Sequence, residues 1–186
     1  FNKLVSNKKT DFSRYNYFYA KYLDNQGKKI EATKIVESAL KKYPRNLLLN
    51  QYKINLKLKK NISNFNCSNK EEIVAELLYI AANALSTQSY FQISNFYLNL
   101  SKYLNNNFHS FDILLAENFY KIEDLESAKE IYKKLRGNGD AFKWYSNKQI
   151  SRILIKENNK NEAIKLLTKS YNDLPLKGIY EIFDYA

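Results

Sequence analysis

Residues able to do chemistry are few in this sequence, and they stand apart from one another. His109 is the only histidine and Cys67 the only cysteine. A zinc site or an activated nucleophile needs such side chains in combination, and neither residue has an identifiable partner. We interpret His109 as a solvated residue in a turn between helices, and we assign Cys67 no nucleophilic role. The sequence therefore predicts a protein that is not an enzyme and that uses no cofactor and no metal.

Carboxylates and glycines have simpler explanations as parts of helix ends. The pairs Glu71–Glu72 and Asp124–Glu126 stand at predicted helix N-termini, where negative charge offsets the helix dipole. We expect Ser68 or Asn69 to cap the first of these two helices. The segment Gly137-Asn138-Gly139 lacks the preceding strand and the downstream residues of a phosphate-binding loop, so we interpret it as a connection between helices.

Composition favours a single all-α domain. The chain has 186 residues, of which 45% are hydrophobic, with only two prolines and four glycines. No apolar run reaches the length of about 18 residues that a transmembrane helix needs. The sequence begins at Phe1 and contains no methionine, so we interpret it as a fragment or a processed product. Its cellular compartment is left open.

The net charge of +11 suggests two interpretations. An anionic partner such as RNA or a membrane surface would be attracted to it. However, nearly all of the positive charge is lysine and is dispersed along the chain, whereas a phosphate-binding face concentrates its charge. We therefore favour a compositional origin, in a chain also rich in Asn, Ile, Tyr and Phe, and we disfavour nucleic acid as the partner.

The stretch from Tyr15 to Pro44 predicts two amphipathic helices joined by a turn. Apolar residues recur at helical spacing over 13–26 and again over 29–43, and Gly27 lies between the two segments. A helix pair of this kind cannot bury its apolar face alone and needs further pairs stacked upon it. Small residues recur downstream at a matching interval: Ser94 and Ala128 are 34 residues apart, and Ala128 and Ala163 are 35 apart. The recurring small positions are Ala20, Ala32 and Ala39; Ala82, Ser94 and Ser101; Ala116 and Ala128; and Ser151, Ala163 and Ser170.

This pattern resembles the tetratricopeptide repeat (TPR) family, as found in bacterial TPR-containing proteins, in which small residues and a proline recur every 34 residues. Pro44 and Pro175 fall at the same repeat position. The resemblance implies a right-handed α–α superhelix with about four full repeats, over 13–46, 69–108, 109–143 and 144–177. An irregular second unit over 47–68 has a shortened or missing helix, and residues 178–186 form a truncated or capping helix.

The resemblance also implies a concave groove lined by the first helix of each repeat. Tyrosines there offer rigid apolar area with a polar tip, and amides can bond a peptide backbone. The residues assigned to this groove are Arg14, Tyr17, Lys21, Gln51, Asn55, Tyr79, Asn83, Glu117, Tyr120, Tyr145, Lys148 and Arg152. Some family members clamp a C-terminal carboxylate with a set of basic and amide residues. Only Asn83 matches that set here.

We therefore expect an interaction scaffold that binds another protein or a peptide in its groove. The alternatives are a basic anion-binding module for RNA or a membrane surface, and an oligomerisation segment of a larger protein. Self-association is expected through exposed ends of the helix array, near Phe1 to Val5 or Ile179 to Tyr185.

Overall fold

A computed structural model describes residues 12–60, 65–66, 68–175 and 177–186, and the predicted all-α class is confirmed over them. None of these residues lies in a β-strand. The helices are α1 (Ser13–Asn25), α2 (Lys29–Lys42), α3 (Leu47–Lys57), α4 (Lys70–Thr87), α5 (Phe91–Leu104), α6 (Ser110–Lys121), α7 (Leu125–Leu135), α8 (Asp140–Lys156), α9 (Lys160–Asn172) and α10 (Ile179–Tyr185). In the part of the chain that is described, no helix has both the length and the apolar character that crossing a membrane requires.

The chain divides into two compact units, and within each unit the helices pack in chain order, which gives a helical-repeat-like architecture. The first, Phe1–Ile62, contains the consecutively packed α1, α2 and α3; the second, Ser63–Ala186, contains α4 to α10. The division falls inside the segment 47–68 for which an irregular unit was predicted. Among the described residues between α3 and α4 none is helical. The grouping of both units into one repeat domain remains a prediction.

Small side chains occupy the contact inside each of four helix hairpins. In α1–α2, α4–α5, α6–α7 and α8–α9, a small residue on each helix is buried, and the two lie twelve residues apart in sequence. In α4–α5 the Ser94 hydroxyl donates to the carbonyl oxygen of Ala82 at 2.8 Å. In α8–α9 the Ser151 hydroxyl donates to the carbonyl of Ala163 at 3.3 Å. The absence of bulk at these positions lets paired helix backbones approach closely, as the sequence pattern predicted.

The first helix of each hairpin, and α3, end in the same kind of turn. Two residues after the helix, the backbone enters the left-handed region, and the next N–H donates to the carbonyl five residues back. Gly27 takes this conformation at φ 77°, without the strain that a side chain would add. At these five turns the residues with positive φ are Gly27, Lys59, Ser89, Glu123 and Asn158. The same turn therefore follows each of these helices, although different residue types occupy its left-handed position.

Helix starts follow local chemistry. Asn69, one of two residues predicted to cap α4, accepts a hydrogen bond from the Glu71 N–H at 2.9 Å. Asp124 caps α7 by accepting from the Ser127 N–H at 3.1 Å. Before α8, a 3₁₀ turn over Arg136–Asn138 leads to Gly139, whose φ of 125° favours glycine. This segment accommodates the extra residue in the 35-residue spacing.

Candidate binding surface

In the second unit, two helices bring four of the predicted groove residues together. The Tyr145 hydroxyl on α8 donates to Oε1 of Glu117 on α6 at 2.6 Å. The Arg152 guanidinium carbon lies 5.3 Å from the ring centroid of Tyr120 on α6. The residue pattern had placed these side chains on equivalent helices, and the fold makes them neighbours. Together with Lys156 they are called the α6–α8 surface below.

Lys156 belongs to this surface although sequence reasoning missed it. Its Nζ lies 4.7 Å from the ring centroid of Tyr120 and 3.6 Å from Oε1 of Glu123. Lys156 follows Arg152 by one helical turn, so the two cations share a face of α8. That i, i+4 spacing was a signal available in the sequence. Both cations are exposed, and a cation over a tyrosine face is attracted by the negative ring surface.

Tyr145 is held as a hydrogen-bond donor. Burial raises the pKa of its hydroxyl, and the nearby Glu117 carboxylate raises it further. Its ring stands edge-on to that of Tyr132, with centroids 6.0 Å apart. The pKa of Tyr132 is also raised, mainly by burial and then by Glu117. Neutral phenols thus form the floor of the surface, while the charged groups of Glu117, Arg152 and Lys156 lie toward solvent.

Lys148, another predicted groove residue, is engaged by the terminal helix. Its Nζ donates to Oδ2 of Asp184 on α10 at 2.6 Å. The Tyr185 ring stacks on Tyr171 of α9 with centroids 4.2 Å apart and planes 4° from parallel. Because α10 is fixed at both points, the Lys148 ammonium already has a carboxylate partner within the chain.

On α4, Tyr79 is half-buried and Asn83 is exposed. The Tyr79 ring lies 5.5 Å, centroid to centroid, from the buried Phe111. One turn beyond Asn83, the Ser86 hydroxyl donates to Asn118 at 2.6 Å. Asn118 is itself 1% exposed, so this helix joins a buried polar network that the sequence pattern did not reveal.

In the first unit, the assigned residues on α1 face into the structure. Tyr17 is 2% exposed and stands edge-on to Tyr52 of α3 at 5.3 Å. Lys21 is 4% exposed, and its Nζ lies 5.6 Å from the Tyr52 ring centroid. Burial lowers the pKa of Lys21, and Asp24 partly opposes this effect. Arg14 is half-buried over the Phe18 ring at 5.5 Å.

Gln51 and Asn55 on α3 are buried, which differs from the exposed groove position assigned to them. The turn after α3 explains the difference. The Lys60 N–H donates to the Asn55 carbonyl just as the Lys28 N–H donates to that of Leu23, so Asn55 matches the buried Leu23. The repeat pattern had aligned Asn55 with Lys21, so the groove assignment on α3 was two residues out of register. The Gln51 amide donates to Oδ1 of Asn55 at 2.9 Å, and the two side chains satisfy each other inside the unit.

Of the residues considered for catalysis, His109 makes structural contacts. His109 precedes α6, and its Nδ1 lies 3.6 Å from Oδ2 of Asp112, which also pairs with Lys102 at 2.5 Å. Burial raises the pKa of Asp112, but hydrogen bonds from His109 and Lys102 outweigh burial, so the net shift is downward. Cys67 and Phe1 to Val5 lie outside the described residues. Within the described ranges, no three His, Cys, Asp or Glu residues cluster in a way that could hold a metal ion.

No known protein-family model matches this chain, and no curated protein matches it significantly.

Proposed function

We propose that this chain is a non-catalytic scaffold of the TPR type that binds a peptide or protein segment through the α6–α8 surface. The buried small residues of the four hairpins and their 34- and 35-residue intervals support a repeat of this type. A stack of such hairpins presents an extended surface formed by the first helix of each pair. Binding here involves no covalent step.

The observation that carries the proposal is the convergence of Glu117, Tyr120, Tyr145 and Arg152 from two separate helices. This set combines aromatic area, a fixed carboxylate and an exposed guanidinium. Such a mixture is typical of the residues that dominate protein interfaces, where tyrosine and arginine are enriched. Tyr79 and Asn83 on α4 extend the proposed surface. Tyr17, Lys21, Gln51 and Asn55 are omitted from it because their side chains are buried.

The partner favoured is a peptide that supplies both hydrogen bonds and apolar area. Arg152 can pair with a carboxylate of the peptide, since its guanidinium has five N–H donors and its contacts here are the Gln149 amide oxygen at 3.0 Å and the Tyr120 ring. Ile155, one turn along the same helix, is half exposed and can receive an apolar side chain. The nearby carboxylates of Glu117 and Glu123 would repel a continuous phosphate backbone, which disfavours RNA.

The test is selection of peptides from a displayed random library against the full chain, followed by calorimetric affinities for the selected peptides. A Tyr120→Ala/Arg152→Ala variant is expected to weaken binding at least tenfold, which corresponds to about 1.4 kcal/mol. A Tyr22→Ala/Tyr90→Ala variant is the control, since both tyrosines are exposed outside the α6–α8 surface. Circular dichroism checks that each variant is folded.

Two results would contradict the proposal. Equal peptide affinities of the two variants would show that the α6–α8 surface does not bind the peptide. A loss of about a thousandfold in affinity between 50 and 200 mM salt would instead indicate an anion-binding module, because such steep dependence reflects counterion release from a polyanion.

A further inference from the structure

The α4–α5 hairpin contains a long neutral stretch in a strongly charged chain. Leu77–Ser101 includes no Asp, Glu, Lys, Arg or His over 25 residues, although 26% of the whole chain is charged and the net charge is +11. A solvated helix surface normally carries charge, so a neutral stretch of this length indicates a surface with another use.

The outer faces of both helices carry large apolar side chains. On α4, Ile73, Leu77 and Ile80 are exposed at spacings of four and three residues. On α5 the exposed residues are also three or four apart: Ile93, Phe96, Leu100 and Tyr103. This alternation follows the heptad pattern of helices that pack against other helices along a seam. Leu77 and Phe96 are 59% and 60% exposed, respectively.

The inner faces of the same helices carry small side chains. Ala75 and Ala82 on α4 are fully buried, as are Ser94 and Ser101 on α5. Leu98 on α5 is also fully buried, but the other large apolar side chains named above are turned outward. On α8, by contrast, the large side chains of Phe142, Trp144 and Ile153 are buried. An exposed apolar face with regular helical spacing is a mark of an interaction site.

We infer that this face pairs with the same face of a second copy of the chain, so that two α4–α5 hairpins form a four-helix bundle. Two copies, each carrying +11, repel one another over most of their surfaces. They can approach closely where the surface is neutral, and Leu77–Ser101 provides such a surface. A charged partner, whether an acidic protein or a nucleic acid, gains little from a face without charge.

The size and geometry of the face fit a weak symmetric dimer. Together α4 and α5 carry 15 exposed residues, fewer than the roughly 20–30 that each side of a standard interface uses, so a weak dimer is expected. Heptad-spaced apolar residues favour helices crossing at about 20°, the usual angle in four-helix bundles. A two-fold axis makes the face complementary to itself, because each residue meets its symmetry equivalent or a neighbour of it.

Sedimentation equilibrium of the full chain between about 1 and 200 µM tests this dimer. The monomer mass is 22.0 kDa, and a species of twice that mass is expected. A Leu77→Gln/Phe96→Gln variant is expected to raise the dissociation constant at least a hundredfold. The control is Ile30→Gln/Ile164→Gln, which changes two side chains that are 75% and 64% exposed on other helices and should leave the constant unchanged. Since all four positions are exposed, every variant is expected to fold, and circular dichroism verifies it.

Salt separates this dimer from a charge-driven complex. Raising NaCl from 50 to 500 mM should strengthen the dimer, because screening reduces repulsion between two positively charged chains. A wild-type chain that remains monomeric at 200 µM in 500 mM NaCl would overturn the inference. So would a dimer that is equally stable in the Leu77→Gln/Phe96→Gln variant. Binding of the monomer to neutral phosphatidylcholine vesicles, abolished by those substitutions, would assign the face to a lipid surface instead.

Discussion

Replacing Asn118 with alanine removes three hydrogen bonds that join three helices of the second unit. The Asn118 amide donates to Oγ of Ser94 and to Oδ1 of Asn95, both at 2.8 Å, and its oxygen accepts from the Ser86 hydroxyl at 2.6 Å. These contacts connect α6 with α5 and α4. Because Asn118 is 1% exposed, water does not readily replace the lost partner.

The loss in unfolding free energy depends on what happens to each of the three partners of Asn118. Ser86 is half-buried, so its hydroxyl can turn toward solvent at little cost. Ser94 keeps the bond that it donates to Ala82 but loses the one that it accepts. Asn95, 8% exposed, loses the amide donor bound to its oxygen. Two buried acceptors left without donors cost about 1–2 kcal/mol each, so the expected loss in unfolding free energy is about 2–4 kcal/mol.

Urea unfolding followed by the fluorescence of Trp144 measures this loss, because that residue is the only tryptophan and is buried in the second unit. With a typical urea dependence, the midpoint should fall by roughly 1–2 M. Asn99→Ala, at an exposed asparagine on α5, is the matched control and should change stability by less than about 0.5 kcal/mol. Equal stabilities of the two variants would refute the reasoning. A double-mutant cycle between Asn95 and Asn118 should give a coupling energy of at least about 0.5 kcal/mol.

Three further predictions concern stability. Ala82→Leu, at a fully buried helix contact, should lower the unfolding free energy of the second unit by about 1–3 kcal/mol, as measured by urea unfolding. Ala84→Leu, on the exposed face of α4, is the control and should be nearly neutral. Equal effects of the two substitutions would contradict close hairpin packing. Burial raises the pKa of Tyr145, so the neutral hydroxyl stabilises the folded state fully at pH values below the unfolded pKa near 10. Above pH 10 the unfolding free energy should fall by up to about 1.4 kcal/mol per pH unit. Urea titrations from pH 9 to 11.5 check this, and a slope unchanged by Tyr145→Phe would contradict it. Because the pKa of Asp112 is lowered in the folded state, its carboxylate stabilises the fold at pH values above the unfolded pKa near 4. This stabilisation is lost as the pH falls through the folded pKa, so Lys102→Met should make stability less dependent on pH in that range. An unaltered dependence of stability on acid pH would argue against the pairing of Asp112 with Lys102.

Local chemistry made the helices predictable from the sequence. Residues 13–26 and 29–43 were assigned to helices, and the structure gives Ser13–Asn25 and Lys29–Lys42. The expected cap at Asn69 and the break at Gly27 are likewise present. Each depends on neighbours within a few residues: a side chain that reaches a nearby N–H, or a backbone that only glycine adopts freely. The buried pairing of small residues could also be predicted, because its period recurs along the chain.

The candidate surface was predictable in part. The sequence placed Glu117, Tyr120, Tyr145 and Arg152 on equivalent faces of α6 and α8, and their contacts follow from stacking those helices. Helical periodicity states which residues share a face, but it does not state what that face meets. Lys148 was expected to line a groove, yet the fold provides Asp184 as its partner from a helix 36 residues further along the chain.

Tertiary structure alone decided the register of α3 and the fate of the apolar residues on α4 and α5. Gln51 and Asn55 are buried because the turn after Lys57 sets that helix two residues away from the frame that the repeat pattern suggested. Leu77 and Phe96 are large apolar residues, yet they are exposed because Ala82 and Ser94 take the inner contact. The sequence by itself thus determined the helices and their small contact residues, through interactions within one or two turns. Which large side chains are buried depends on the helix packed opposite, and only the three-dimensional arrangement supplies that neighbour.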